Sequence, residues 1–173
     1  GSQLQPNRIG GRAVLQREAW WQLQHLAGVD DGMAGKATGG AHRRYGIGIA
    51  CGPSRLVVLD LDVPKVTDHA TGAEHLAHLE HVHGGSMPAT FTVTTPGGGQ
   101  HRYYRTPRHG PALTNTASRI APYIDTRAAG GYVVAPPTGT ADGRYRITDD
   151  RPPARLPDWF AGLLTTPEPP PSP

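Results

Sequence analysis

The stretch VVLDLD, residues 57–62, decides how the rest of the sequence is interpreted. Its first three positions are apolar and two of them are β-branched, which predicts a strand buried on both faces. Side chains two apart on a strand point to the same side, so Asp60 and Asp62 are expected on one face of a sheet. Carboxylates held that close repel each other and resist burial unless a positive group lies between them. The stretch therefore predicts a cation at the end of a buried strand.

Further strand patterns lie on both sides of this stretch. Residues 45–50 (YGIGIA) precede it across the turn CGPSR, which predicts a β-hairpin with residues 56–61. Residues 89–95 (ATFTVTT) and 100–105 (QHRYYR) are expected to pair as two more strands across a glycine turn. Shorter strands are predicted over residues 123–125, 131–135 and 143–147.

Helical patterns are fewer. Thr71 with Glu74 three residues later has the spacing of a capping box, and Gly84 follows the last apolar position. Helices are predicted over residues 17–26, 71–83 and 157–164. Together these elements predict an α+β fold with a central, mostly antiparallel sheet flanked by helices.

Composition bounds the domain organisation. The chain has 173 residues, enough for one ordinary core, and its 23 glycines and 18 prolines predict many turns. Residues 1–8 are expected to be a tag remnant and tail, residues 9–164 the folded domain, and the proline-rich residues 165–173 a linker to a missing C-terminal region. No apolar run approaches the roughly 18 residues of a membrane span, and no signal-peptide pattern opens the chain. These features predict a cytoplasmic protein without a membrane partner.

Positive charge is concentrated in the second half of the sequence. The net charge is +3, but residues 91–147 carry seven arginines against Asp125 and Asp142. Arginine forms forked contacts with phosphate, so a nucleic-acid partner and a merely solvated basic surface are both open interpretations. The arginines are Arg102, Arg105, Arg108, Arg119, Arg127, Arg144 and Arg146.

Chemically capable groups follow two other strand patterns. Residues 97–99 are all glycine, so their backbone N–H groups can approach an anion such as a phosphate. His101 begins the next strand and can donate to the same phosphate. Asp125 is a third carboxylate that ends an apolar run. Carboxylates plus phosphates are the oxygen ligands of Mg²⁺, and such sets serve in two-metal phosphoryl chemistry.

Four segments, in order, resemble the bifunctional DNA primase/polymerase (prim-pol) domain of the archaeo-eukaryotic primase superfamily. They are GIGIACGPSRLVVLDLD, PATFTVTTPGGGQHRYY, IDTRAAGGYVVAPPT and DGRYRI. The resemblance covers about residues 45–164, whereas residues 3–44 match the family's N-terminal segment poorly. It implies that residues 9–164 form a prim-pol catalytic domain whose central sheet is related to RNA-recognition-motif folds.

The resemblance also implies the roles of individual residues. Asp60 and Asp62 match the family's paired acidic motif and Asp125 its third acid, which together hold two Mg²⁺ or Mn²⁺ ions. His101 matches the histidine that contacts the phosphates of the incoming nucleotide, and it completes the expected catalytic set. Nucleotide binding is expected from Gly98, Gly99, Gln100, His101 and Arg127.

The implied activity is that of a DNA-directed primase and polymerase. A primer 3′-hydroxyl, or the hydroxyl of a first nucleotide, is expected to attack the α-phosphorus of a dNTP or NTP, with pyrophosphate leaving. The implied partners are a DNA template and primer and a C-terminal helical or helicase region. The implied setting is replication of a plasmid, phage or integrated element.

Two other functions stay open at this level. The chain can be a catalytically weak nucleotide- or DNA-binding module of a replication initiator. It can also be a rolling-circle nickase with Tyr103 or Tyr104 as nucleophile. A nickase needs a His-hydrophobic-His motif on a strand, whereas residues 81–83, which have that pattern, fall in a predicted helix.

Overall fold

The computed structural model describes residues 7–9 and 12–15 by their backbone, and residues 46–66 and 69–165 in full. The two helices in this part of the chain are α1 (Gly72–His83) and α2 (Asp158–Thr165). The strands are β1 (Asn7–Ile9), β2 (Arg12–Leu15), β3 (Ile47–Ala50), β4 (Leu56–Leu61), β5 (Thr92–Thr94), β6 (Gln100–Arg105), β7 (Ile124–Arg127), β8 (Tyr132–Ala135), β9 (Gly139–Thr140), β10 (Gly143–Arg144), β11 (Arg146–Asp149) and β12 (Ala154–Arg155).

The larger sheet has six strands, with β4 near its centre. Its order is β11-β5-β6-β4-β7, and every neighbouring pair in that order is antiparallel. Strand β12 pairs in parallel with the far end of β6. Because β4 has a neighbour on each side and apolar cover on each face, the apolar run over residues 56–59 is explained. The predicted α+β class with a mostly antiparallel sheet is confirmed.

A second sheet has four strands in the order β1-β2-β3-β8. Its β2–β3 pair is parallel and its other two pairs are antiparallel. The first two strands lie where the sequence shows no clear pattern, so they were not predicted. The helix predicted over residues 17–26 lies outside the described residues. Strands β9 and β10 pair with each other as a separate two-stranded ribbon.

The predicted hairpin between β3 and β4 is wrong. Strand β3 pairs with β2 and β8, whereas β4 pairs with β6 and β7 in the other sheet. The turn over residues 51–55 is tight, with the Leu56 N–H donating to the carbonyl of Cys51 at 2.9 Å. Arg55 has φ of 54°, which turns the chain out of the plane of its first sheet. The turn is therefore a corner between two sheets.

A matching corner returns the chain from β7 to β8. Gly130 has φ of 81°, and the Gly131 N–H donates to the carbonyl of Ala128 at 2.9 Å. The Cys51 N–H donates to the Gly131 carbonyl at 3.0 Å, which joins the two corners. The two sheets are thus tied together at one end.

Two apolar cores lie on opposite faces of the six-stranded sheet. Alternation along β4 sends Val58 to one face and Val57 and Leu59 to the other. The front core, between the two sheets, contains Ile49, Cys51, Leu56, Val58, Phe91, Val93, Tyr103, Val133 and Ala135. The back core, under the helices, contains Val57, Leu59, Leu61, Leu76, Tyr104, Leu113, Ile124, Ala128, Leu156, Phe160 and Leu164.

Helix α1 begins with the predicted capping box. The Glu74 N–H donates to Thr71 Oγ1 at 3.2 Å, and the Thr71 N–H donates back to Glu74 Oε2 at 2.7 Å. Such a cap stabilises a helix by about 1 kcal/mol. Gly84 ends the helix in the left-handed conformation, with φ of 62°. No helix in the described ranges has the length and apolar character needed to cross a membrane.

Candidate functional site

Three of the residues singled out from the sequence form one row across the six-stranded sheet. Asp60 on β4 is the register partner of His101 on β6 and of Asp125 on β7. Directly opposed residues on antiparallel strands share a face, with Cβ atoms about 4.5–5.5 Å apart. The fold therefore brings together side chains that are 24 or more residues apart in sequence.

His101 is in contact with Asp60. Its Nε2 lies 3.3 Å from Asp60 Oδ1, and the residue is only 5% exposed. Its ring lies against Tyr145, with centroids 5.6 Å apart. The Nδ1 atom is buried, and within the described part of the chain it has no hydrogen-bond partner. A buried polar atom without a partner carries a desolvation cost, so Nδ1 is suited to a ligand atom.

Asp125 is held through both of its oxygens. Oδ1 accepts a 2.9 Å hydrogen bond from the Ser118 N–H, and Oδ2 accepts one of 3.0 Å from Arg127 Nη2. Ser118 has φ of 47°, so the backbone of its loop is shaped to present that N–H. Arg127 is two residues along β7 on the same face, which allows the pair to form. The orientation of Asp125 is therefore fixed from two sides.

Asp62 lies one residue beyond the end of β4. Its N–H donates to the Tyr123 carbonyl at 3.0 Å, and its carbonyl accepts from the Gly72 N–H at 2.8 Å. A Cβ at Gly72 would lie 2.2 Å from the Tyr123 oxygen, so only glycine permits this contact. Close packing of the first turn of α1 thus fixes the backbone that carries the second predicted acid.

The charges of the site act on one another. The pKa of Asp62 is raised, first by partial desolvation of its carboxyl and then by the negative charges of Asp60 and Asp125. His101 and Arg127 act in the opposite direction. The repulsion expected from the sequence is therefore present, and neighbouring side chains of the protein offset part of it.

The glycine turn packs against the end of β4. A Cβ at Gly99 would lie 2.5 Å from the Leu61 carbonyl oxygen, which explains the glycine by steric exclusion. Gly98 has φ of 84°, and its N–H donates to the Thr95 carbonyl at 3.0 Å within the turn. Gly97 has open space around it. The Gly98 amide is therefore used by the turn itself.

Gln100 faces away from the row. Alternation along β6 places Tyr103 in the front core and Tyr104 in the back core, so Gln100 shares the back face. Its Oε1 accepts a hydrogen bond of 3.0 Å from Arg102 Nε. Only its backbone is close to the turn that precedes His101.

A cleft of about 340 Å³ opens between the two sheets at this row. Asp60, His101 and Arg127 line one wall. The opposite wall is formed by the start of β8 and the corner before it, residues 130–134. Asn115 and Tyr145 complete the lining. The cleft joins cationic and anionic groups on one side to backbone and aromatic surface on the other, which suits a ligand with charged and apolar parts.

A family model described as the N-terminal domain of bifunctional DNA primase/polymerase matches residues 5–159. The chain belongs to this family. The match supports nucleotidyl transfer of the primase/polymerase type in general, with DNA and nucleotides as substrates. The match includes residues 5–44, although their sequence resembles the family's N-terminal segment poorly. No curated protein matches the chain.

The aspartate carboxylates of this prim-pol domain are suitable ligands for divalent ions, since Mg²⁺ and Mn²⁺ prefer oxygen ligands such as carboxylates. Within residues 46–66 and 69–165, no group of three or more His, Cys, Asp or Glu side chains is arranged to hold a metal ion alone. Mg²⁺ is commonly held by one or two carboxylates plus substrate phosphates. The residues therefore fit an ion that is bound together with a nucleotide.

The nickase interpretation lacks its nucleophile in this prim-pol domain. Tyr103 and Tyr104 are both fully buried, in the front and back cores respectively. Tyr104 donates its hydroxyl to the Pro88 carbonyl at 3.3 Å. His81 and His83 lie on helix α1 and not on a strand. The two tyrosines pack the cores and do not face the cleft.

Sequence reasoning missed part of the cleft lining. Asn115, Tyr132 and Tyr145 were not singled out, although all three line the cleft. The pair Gly130-Gly131 before a buried strand was a usable signal, because adjacent glycines often mark close backbone approach. Asn115 had no such signal, since it lies in a loop without a recognisable pattern.

Proposed function

We propose that this domain catalyses template-directed nucleotidyl transfer as a DNA primase/polymerase, using two Mg²⁺ or Mn²⁺ ions. The observation that carries the proposal is the His101-Asp60-Asp125 row, of which His101 and Asp60 line the cleft. The proposed setting, replication of a plasmid, phage or integrated element, depends on the family resemblance alone. A C-terminal helical or helicase region remains a proposal on the same basis.

The nucleotide's triphosphate is proposed to lie beside His101 and the glycine turn. Nδ1 of His101 is the group that would donate to a phosphate, because Nε2 is turned toward Asp60. Since the turn uses the Gly98 amide, phosphate contacts would come from the amides of Gly97 and Gly99. Arg127 lines the cleft and brings a second positive charge to the same anion.

Asp60, Asp62 and Asp125 are the residues that would hold the ions. When bound, the ions would stabilise charge on the attacking and leaving oxygens of an in-line displacement. The chain's own contribution is to orient the acids. Asp125 is held by the Ser118 N–H and Arg127, and Asp62 is held through its backbone. Pre-oriented ligands reduce the reorganisation needed when the nucleotide arrives.

Primer extension by the wild type and by Asp60→Asn tests the proposal. The amide keeps the shape of the side chain and removes its charge. Asp142→Asn is the matched control, because Asp142 is exposed in the turn between β9 and β10. We expect extension by the wild type and the control and its loss in Asp60→Asn. Equal extension by all three proteins would refute the assignment.

A passive nucleotide-binding module is the second candidate. The observation that favours it is that Asp60 and Asp125 already have side-chain partners within the chain, the His101 imidazole and the Arg127 guanidinium. A carboxylate that already contacts a partner side chain gains less free energy from binding a metal ion. Titration of labelled dNTP with and without Mn²⁺ separates the two functions. Affinity that does not change with the metal would favour the passive module.

A further inference from the structure

Asn115 lines the same cleft as Asp60, His101 and Arg127. It precedes Thr116, whose N–H and carbonyl exchange hydrogen bonds of 3.1 Å with the backbone of Thr126 at the edge of β7. The carboxamide therefore sits on a segment anchored to the same strand that carries Asp125. Nothing in the family motifs of this sequence assigns it a role.

The orientation of the Asn115 carboxamide is fixed by one hydrogen bond. Its Oδ1 accepts from the Ala128 N–H at 2.8 Å. Because the acceptor end is used, the group that remains is Nδ2, which carries two N–H donors. Within the described residues, the side chain makes this one hydrogen bond. Nδ2 therefore has no acceptor among the described residues, and because the side chain is exposed, a ligand in the cleft can supply one.

Gly131 makes room for this carboxamide. A Cβ at Gly131 would lie 2.2 Å from Asn115 Oδ1 and 3.0 Å from Nδ2. The φ of Gly131 is not in the left-handed range, so the turn does not itself demand glycine there. The absence of a side chain at Gly131 is therefore explained by the position of the Asn115 side chain.

The distance from the acids indicates which part of a nucleotide Asn115 meets. Ala128, to which Asn115 is bonded, follows Asp125 by three residues, roughly 10 Å at the rise of a strand. A triphosphate held by the acids and His101 places its sugar and base further along the cleft. Tyr132 lines the same cleft and is 45% exposed, so the cleft also contains an aromatic side chain of the kind on which bases stack.

We propose that Asn115 is a specificity-determining residue that donates from Nδ2 to an oxygen acceptor on the nucleoside part of the bound triphosphate. The inference depends on the proposed function, since it needs a nucleoside triphosphate in the cleft. Asn115 is not a metal ligand and does not contact the phosphates. It distinguishes a nucleoside triphosphate from a bare polyphosphate.

Calorimetric titration with dATP, ATP and inorganic tripolyphosphate in the presence of Mn²⁺ tests the inference. Asn115→Ala is expected to weaken the binding of dATP or ATP, whichever the wild type prefers, by about 2- to 10-fold. This is the usual contribution of one hydrogen bond. Binding of tripolyphosphate is expected to stay unchanged. A merely structural role would weaken both kinds of ligand together.

Three further variants protect the test against a folding artefact. Asn115→Asp keeps an acceptor for the Ala128 N–H and removes the two donors. It should therefore weaken nucleotide binding more than tripolyphosphate binding. Gly131→Ala displaces the carboxamide and should reproduce the selective loss. Thr114→Ala changes an exposed neighbour on the same segment and should bind both ligands as the wild type does.

The outcomes separate the inference from the function that it assumes. Equal losses for nucleotide and tripolyphosphate, or no loss for either, would overturn the role of Asn115 while leaving the proposed function intact. A wild type that binds neither ligand with Mn²⁺ would overturn both.

Discussion

His101 and Asp60 are register partners on adjacent strands, and their side chains approach to 3.3 Å between Nε2 and Oδ1. The contact joins the residue proposed for the phosphates to a residue proposed for the metal ions. It holds the imidazole in one orientation, with Nδ1 as the atom left for the nucleotide. In the proposed function, nucleotide recognition and metal binding would therefore be coupled through this side-chain pair.

Replacing His101 with Gln tests this coupling. The Gln amide can still reach Asp60, but it has no second ring nitrogen for a phosphate. Removal of one oriented donor from an active site typically lowers kcat by about 10²–10³-fold. We expect a loss in primer extension of that order, with the thermal unfolding midpoint close to that of the wild type. Wild-type rates in His101→Gln would exclude a role for Nδ1.

Neutralising Asp62 should stabilise the metal-free protein while destroying its activity. The pKa of the Asp62 carboxyl is raised, first by partial desolvation and then by the negative charges of Asp60 and Asp125. Asp62→Asn removes that repulsion, so its Tm without divalent ions should be higher than that of the wild type. With Mn²⁺ and nucleotide, the wild type should gain more in Tm than the variant. A lower Tm in the metal-free variant would contradict the electrostatic account.

The two glycines Gly97 and Gly99 should differ sharply in their tolerance of alanine. A Cβ at Gly99 meets the Leu61 carbonyl at 2.5 Å, whereas Gly97 has nothing within 4 Å. Overpacking of this kind costs about 1–3 kcal/mol in the free energy of unfolding. Gly99→Ala should therefore be destabilised in urea and impaired in primer extension, while Gly97→Ala should keep both properties. Equal behaviour of the two variants would contradict the steric explanation.

Arg105 should contribute to DNA binding. It is the register partner of Arg155 on β12, so two exposed positive side chains share a face. Like charges placed side by side are unfavourable without an anion, and Asp158 reaches only Arg155. Arg105→Gln should weaken binding of duplex primer-template and lower the slope of log K against log salt by about 1.

The control for that change is Arg151→Gln. Arg151 is exposed, but it is already paired with Asp149 at 2.8 Å. Its removal should leave the salt slope unchanged. If Arg105→Gln and Arg151→Gln behave alike, the surface near β12 is merely solvated and the DNA path lies elsewhere.

Local patterns in the sequence predicted most of the elements around the site. The apolar run before Asp60, the capping box at Thr71 and the glycine turn before His101 are all set by residues close together in the chain. Alternation then determined the face on which Asp60 lies. The row with His101 and Asp125 could be proposed only through the family resemblance, because strand order is not encoded in local periodicity.

The hairpin predicted over residues 45–61 is wrong because both of its strands pair with strands that are distant in the sequence. The turn CGPSR has the composition of a hairpin, yet the strands on its two sides belong to different sheets. A short turn allows a hairpin but does not require one, since the partners of β3 lie at residues 12–15 and 132–135. Asn115 was missed for a related reason. Its importance comes from contacts with Ala128 and Gly131, which are 13 and 16 residues away.

The row of side chains across β6, β4 and β7 limits how this chain can change in length. Because successive residues on a strand face opposite sides, deletion or insertion of one residue between Val57 and Asp60 would point the carboxylate into the back core among leucines. A similar change in β6 would bury Gln100 or Arg102 beside Asp60 in place of the imidazole. Natural length variation in such domains should therefore be confined to the connecting loops. The lengths of these strands should be constant among homologues that retain activity.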